Sequence, residues 1–296
     1  MDALSAFDRY EAIRHRLPAA TFPTHSRQMA HLDEAADHFD GLVLDAFGVL
    51  NVGQTAIPGA IARMTALRAR GKALCVLTNA ASYTKAGVLA KYRRLGFDFS
   101  AEEVVTSRDV AARRLERIAP GAVWAALADP DDDFHDLPVT VIDAISRPDA
   151  MDAADAFLFL STQRYTAALH DRVLSSLARN PRPVVVANPD LTAPFEGGLS
   201  EEPGLFAHDM IDQLGSEVHW FGKPFADAYG DVLARMGLPA HRLAMVGDTL
   251  HTDVLGGRAA GMGTVLITGH GLFRGHDVAP LIASSGIRPD IIAPTT

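Results

Sequence analysis

Along most of this chain, apolar runs of four to six residues alternate with longer stretches in which apolar residues recur every three or four positions. The short runs fit buried strands and the longer ones amphipathic helices, so the alternation predicts an α/β fold: a mainly parallel, Rossmann-like sheet flanked by helices. Strands are expected at 41–44, 73–77, 123–127, 139–142, 157–160, 184–187, 243–246 and 264–268, each bounded by Gly, Pro, Asn, Asp or Ser. Helices are expected at 59–70, 84–95, 107–118, 166–179, 203–215, 226–236 and 252–260. The 296 residues, 48% of them hydrophobic, suffice for a full core and two domains. The first forty read as a helical extension rich in histidine and alanine.

Charge and composition remove several functions. A net charge of -9 without a Lys/Arg run argues against nucleic acid, whose binding needs a clustered basic face. The amphipathic start carries Asp2, Asp8, Glu11 and Arg14 and lacks the apolar segment of a signal peptide. No stretch approaches the roughly 20 apolar residues that span a bilayer, so no membrane partner is expected. The sole cysteine, Cys75, sits inside an apolar run and reads as a core residue in a cytoplasmic protein. The histidines show no paired zinc spacing, and the glycines of 256–271 form no dinucleotide fingerprint. The acidic run Asp129 to Asp133 follows a strand and reads as a solvated loop.

In an open α/β sheet, ligands bind beyond the carboxyl ends of the strands, where this chain places Asp45, Thr78, Asn79 and Asp248. Asp45 and Asp248 are of the type that jointly holds magnesium, which favours a few carboxylates plus water and phosphate. Asp253, near a helix start, either orients a metal-bound water or caps the helix. Thr78 and Asn79 open a turn before a helix, where hydroxyl, amide and backbone N–H groups receive a phosphate. Lys223 supplies a compact cation for the phosphate and the aspartate pair.

The segments Asp45-Ala-Phe-Gly-Val-Leu50, Leu77-Thr-Asn79, Gly222-Lys-Pro224 and Gly247-Asp-Thr-Leu-His-Thr-Asp253, in that order, resemble the four motifs of the haloacid dehalogenase superfamily. The long interval before the third motif, with Ala187-Asn-Pro-Asp190 near its end, resembles the large α/β cap of the type IIA branch, which holds N-acetylglucosamine-type sugar phosphatases and pyridoxal phosphate phosphatases. The resemblance implies a core of residues 41–114 and 218–296 and an inserted cap of residues 115–217, able to close over the crevice and to mediate a homodimer. It implies that Asp45 is a nucleophile that forms an aspartyl-phosphate and Lys223 its catalytic partner. Magnesium would be held by Asp45, the backbone carbonyl of Phe47 and Asp248, with Asp253 as ligand or neighbour. Thr78 and Asn79 would bind phosphate, Lys223 would steady it, and Asn188 and Asp190 would meet the rest of a small phosphorylated metabolite.

One residue departs from the pattern. Phosphatases of the superfamily usually carry a second aspartate where Phe47 stands, to protonate the leaving oxygen and activate water. Losing that help, typically worth ~10²–10⁴-fold, predicts a slow or altered phosphatase. The alternative is a phosphometabolite-binding or regulatory protein without turnover. Carbon–phosphorus cleavage is disfavoured, because the cap interval contains no lysine for an imine. His251, inside the last motif, is either a substitute proton source or an exposed helix-start histidine. Asn188 and Asp190 either bond substrate hydroxyls or form an Asx turn, and Gln163 and Arg164 are weaker substrate candidates.

Overall fold

The computed structural model describes residues 1–195 and 197–296. The chain begins with α1 (Ala3–Ala12), β1 (Arg27–Gln28) and α2 (Leu32–Ala36). It then enters β2 (Gly41–Leu44), a small antiparallel hairpin of β3 (Asn51–Val52) and β4 (Thr55–Ala56), α3 (Ala60–Ala69), β5 (Ala73–Thr78), α4 (Lys85–Leu95), β6 (Val104–Thr106) and α5 (Ser107–Ile118). A second unit follows: β7 (Val123–Leu127), β8 (Thr140–Asp143), β9 (Ala156–Phe159), α6 (Ala167–Arg179), β10 (Val184–Val186), the antiparallel hairpin β11 (Thr192–Phe195) and β12 (Gly198–Glu201), α7 (Pro203–Leu214) and β13 (Val218–Trp220). The chain returns through α8 (Ala226–Met236), β14 (Leu243–Gly247), a π-turn over Leu250–Val254 continuing as α9 (Leu255–Ala259), β15 (Gly263–Ile267), α10 (Ala279–Ser285) and β16 (Ile291–Ala293).

The larger sheet has the order β1-β16-β15-β14-β2-β5-β6, with every pair parallel. From β2 the chain winds outward through β5 and β6, and later from β14 through β15 and β16 in the opposite direction. The switch point therefore lies between β2 and β14, where an open α/β sheet forms its crevice. Register does the rest: Leu44 pairs with Val246 and with Val76, so Asp45, Asp248 and Thr78 emerge together at one edge. The second sheet, β13-β10-β9-β7-β8, is also parallel throughout.

Side chains on β2 alternate between two cores, as a strand covered on both faces requires. Leu42 and Leu44 join Val76 and Val246 on one face, while Val43 joins Cys75, Leu77 and Met245 on the other. The second cluster continues through Trp124, Leu158 and Val185 into the smaller sheet, so the two sheets share packed surface. Cys75 is a core residue as expected, and burial pushes its thiol up to about 12. The three-residue strands β6, β13 and β16 were not anticipated, nor was β1 within the expected helical extension. Because β13 pairs with β10, the smaller sheet extends to Trp220. Among the described residues, no helix is long and apolar enough to cross a membrane.

Candidate active site

Asp45 leaves β2 with its amide bonded to the Val246 carbonyl at 2.8 Å. Its Oδ1 accepts from the Ala46 amide at 2.6 Å and lies 2.6 Å from Lys223 Nζ, which also donates to Asp253 Oδ1 at 2.7 Å. Among the described residues no hydrogen bond is made to Asp45 Oδ2, and the side chain borders a cavity of about 360 Å³. The carboxylate is thus held by one oxygen and presented by the other.

Asp248, after β14, is fixed from two sides. Its Oδ1 accepts from Thr249 Oγ1 at 2.9 Å and its Oδ2 from the Leu272 amide at 2.6 Å. Asp253 Oδ2 accepts from the Thr249 amide at 3.0 Å, closing the π-turn onto the end of β14. Two glycines make this packing possible. A Cβ on Gly271 would lie 1.8 Å from Asp248 Oδ2, and one on Gly48, whose φ is +75°, would lie 2.6 Å from the same atom. Gly48 and Gly271 therefore help seat Asp248.

One ligand atom each from Asp45, Asp248 and Asp253 lie within 4.8 Å of one another, and all three residues are buried. Burial raises Asp45 well above the usual carboxylate range; Lys223 opposes this, while Asp253 and Asp248 reinforce it. Asp248 is raised by burial and by Asp253, against the Leu272 amide bond. For Lys223, burial favours loss of the proton, but Asp253 and Asp45 outweigh it and hold the ammonium charged. Three acids around one ammonium leave a negative, all-oxygen site that fits a hard divalent cation. The turn beyond Asp45 uses the Ala46 and Asn51 carbonyls for its own bonds, to Leu50, Asn51 and Gly48 amides, with Phe47 between them.

Thr78, 2% exposed, borders the cavity, and its Oγ1 accepts from the Ala80 amide at 3.2 Å. Asn79 is differently engaged. Its Nδ2 donates to Asp190 Oδ1 at 2.9 Å and to the Lys223 carbonyl at 3.0 Å, while its Oδ1 accepts from the Lys223 amide at 2.7 Å. It joins the Thr78 turn, the Lys223 segment and the cap loop, a joining role beside the phosphate role expected from sequence. Asn188 Oδ1 accepts from the Asp190 amide at 3.1 Å, an Asx turn, and its Nδ2 donates to Glu202 at 2.8 Å. Both Asn188 and Asp190 still border the cavity, and burial pushes the Asp190 carboxyl up to about 8 despite Lys223 nearby.

Three readings change on the structure. The acidic run is not simply a solvated loop. Asp132 and Asp136 clamp the buried Arg108, and Asp129 borders the cavity with Ser161 donating to it. His251 is neither exposed nor at the cavity: it is fully buried, with Nε2 2.5 Å from Glu11 and its ring stacked on Tyr10. The N-terminal helix is the partner that sequence reading did not supply. Of Gln163 and Arg164, only Gln163 borders the cavity; Arg164 turns to Asp143 and the Ala128 carbonyl. Sequence reading also missed Lys91, whose placement on the inner face of α4 follows the periodicity of Val88 and Tyr92.

The comparisons with known proteins agree with this geometry. A haloacid dehalogenase-like hydrolase model matches residues 42–134, and a HAD-hydrolase-like model matches residues 220–295. The chain is 31% identical over 273 residues to the glycerol-3-phosphate phosphatase of Gallus gallus, covering 85% of this chain and 88% of that one. Among solved structures, a possible sugar phosphatase of the HAD superfamily from Cytophaga hutchinsonii superposes with a TM-score of 0.78 at 24% identity, covering 91% of this chain and 98% of that one. A glycerol phosphate phosphatase from Mycobacterium tuberculosis, in complex with calcium, gives a TM-score of 0.64 at 24% identity, covering 86% and 76%. This chain belongs to the haloacid dehalogenase-like hydrolases, in the branch with a type IIA cap. Within that family it is an enzyme of the phosphatase type.

Proposed function

We propose that the chain is a magnesium-dependent phosphatase of small phosphorylated metabolites that works through an aspartyl-phosphate on Asp45. One observation carries this: Asp45 Oδ1 is tied to Lys223 and the Ala46 amide, while the residue borders the cavity beside Asp248 and Thr78. Asp45, Asp248 and the Phe47 carbonyl would hold the metal, with Asp253 as ligand or as the Lys223 partner that orients the site. When bound, magnesium screens the phosphate from the carboxylates and stabilises charge on the phosphoryl oxygens. Lys223 aims Asp45 and offsets part of the burial that disfavours its charged form, and Thr78 donates its hydroxyl to a phosphoryl oxygen. Asn79 orders the loops around them and flanks the phosphate. Asn188 and Asp190 face the remainder of the substrate; a protonated Asp190 donates to a hydroxyl, which suits polyol and sugar phosphates. The curated relatives named for glycerol-3-phosphate and sugar phosphates support that class. The buried single thiol suits a reducing cytoplasm.

Purified protein with magnesium is expected to hydrolyse glycerol 3-phosphate and p-nitrophenyl phosphate. Removing the nucleophile in Asp45→Asn should lower kcat on the order of 10⁴-fold or more, and chelation should abolish turnover reversibly. Phe47 favours a second reading, phosphoester binding without catalysis. Magnesium-dependent heat of binding in a calorimeter, with phosphate release no faster than in Asp45→Asn, would select it.

A further inference from the structure

A phosphate ester entering this cavity meets Asp45, Asp129, Asp190, Glu202 and Asp248 along the walls. Among the described residues that border it, the only Lys, Arg or His is Lys91. Lys223 lies behind Asp45, between that carboxylate and Asp253. Lys91 is 4% exposed, and its ammonium sits 4.4 Å from the centre of the Phe47 ring and 5.9 Å from that of Tyr83. A ring face attracts an ammonium through its quadrupole and adds no negative charge, whereas a carboxylate at residue 47 would oppose the lysine's field. Phe47 is thus more than an absent acid. It is a platform for a cation two residues from the nucleophile.

We infer that Lys91 is a catalytic residue that stabilises the negative charge developing on the leaving oxygen. This rests on the phosphatase reading of Asp45. In-line displacement places the leaving oxygen opposite the attacking carboxylate, out in the cavity where Lys91 is the basic side chain. As Asp45 Oδ2 bonds to phosphorus, the ester P–O bond breaks and its electron pair stays on the leaving oxygen, which hydrogen-bonds to the Lys91 ammonium. That oxygen leaves as the alcohol with the proton of the ammonium it is bonded to. Water then hydrolyses the aspartyl-phosphate, which returns the Asp45 carboxylate; one proton of that water restores the Lys91 ammonium and the other stays on the released hydrogen phosphate.

The inference predicts a dependence on leaving group that a structural or phosphate-binding lysine would not produce. Lys91→Met keeps the length and apolar stem. It should lower kcat for glycerol 3-phosphate, a poor leaving group, by about 10²-fold, and for p-nitrophenyl phosphate, a good one, by less than about threefold. Lys91→Arg should retain most of the glycerol 3-phosphate rate. Phe47→Leu, which removes the ring face and keeps the apolar bulk, should show the same selectivity at about 2–30-fold. Thermal melts of each variant report folding. Equal losses on both esters, or no loss on either, in folded Lys91→Met overturn the inference while the wild-type turnover stands. Should Lys91→Met not fold, equal losses or no loss in Phe47→Leu overturn it in the same way. Absence of wild-type turnover on both esters overturns the phosphatase reading and this inference with it.

Discussion

Asn79 bonds to groups 111 and 144 residues away in sequence, Asp190 in the cap loop and the two backbone polar groups of Lys223. Replacing it with alanine leaves the buried Lys223 amide without its acceptor, a loss of about 1–3 kcal/mol, and releases the segment that aims the ammonium at Asp45. The expected result for Asn79→Ala is a fall in kcat of about 10–100-fold with KM nearly unchanged, as for other groups that orient a reactive neighbour. Steady-state kinetics on p-nitrophenyl phosphate separates the roles: a raised KM at unchanged kcat would make phosphate binding its main task. Its position beside Thr78 was legible in sequence because strand ends collect ligands. The joining bonds were not, because they depend on a loop and a strand end that only the folded chain brings together. Asp45, Asp248 and Thr78 were legible for the opposite reason: each is the first polar residue at the end of an apolar strand, and parallel register aligns those ends.

At the level of elements, long periodic segments could be read and several short ones could not. Helix α5 shows its buried face in Val110, Ala111 and Leu115, whereas β6, β13 and β16 have three residues each and owe their extended form to hydrogen bonds from neighbouring strands. Helix α7 and strand β13 together make a pH-sensitive contact. His208 on α7 stacks on Trp220 of β13 at 4.4 Å, 1% exposed, and burial, followed by the charges of Arg16 and Arg9, lowers its pKa to about 3. An unfolded histidine titrates near ~6.5, so between pH 6.5 and 3 the unfolded chain binds a proton that the folded one refuses. The contribution is complete above ~6.5 and is lost progressively on acidification, by about 2 kcal/mol at pH 5. His208→Phe keeps a ring for the stack and removes the titration. Its Tm should fall less than that of the wild type between pH 7 and pH 5; parallel curves in thermal melts would show that His208 is not responsible.

Across the whole molecule, the first helix touches both sheets' units. Glu11 meets His251 in the π-turn that carries Asp253, and Tyr10 stacks on the same imidazole at 4.8 Å. The Tyr10 hydroxyl also accepts from the Leu191 amide at 3.0 Å, beside Asp190 of the cap, while Arg9 and Arg16 both reach Asp212 on α7. An amphipathic helix of this kind gives no sequence sign of what its apolar face will cover, so its role emerged only with the fold. It has the geometry of a strap across the seam: Glu11 and Tyr10 hold the core at His251, while Tyr10, Arg9 and Arg16 hold the cap at Leu191 and Asp212. Tyr10→Ala removes the stack, the apolar burial and the acceptor of the Leu191 amide together, and should cost about 3–5 kcal/mol, as for other buried aromatic deletions. Tyr10→Phe removes only the acceptor and should cost about 1–3 kcal/mol. If the strap couples the two units, hydrogen exchange in Tyr10→Ala will quicken in two places distant in sequence, residues 187–192 of the cap and 249–254 of the core, and substrate KM will rise with it. Faster exchange in the core segment alone would show that α1 covers the π-turn and leaves the cap free.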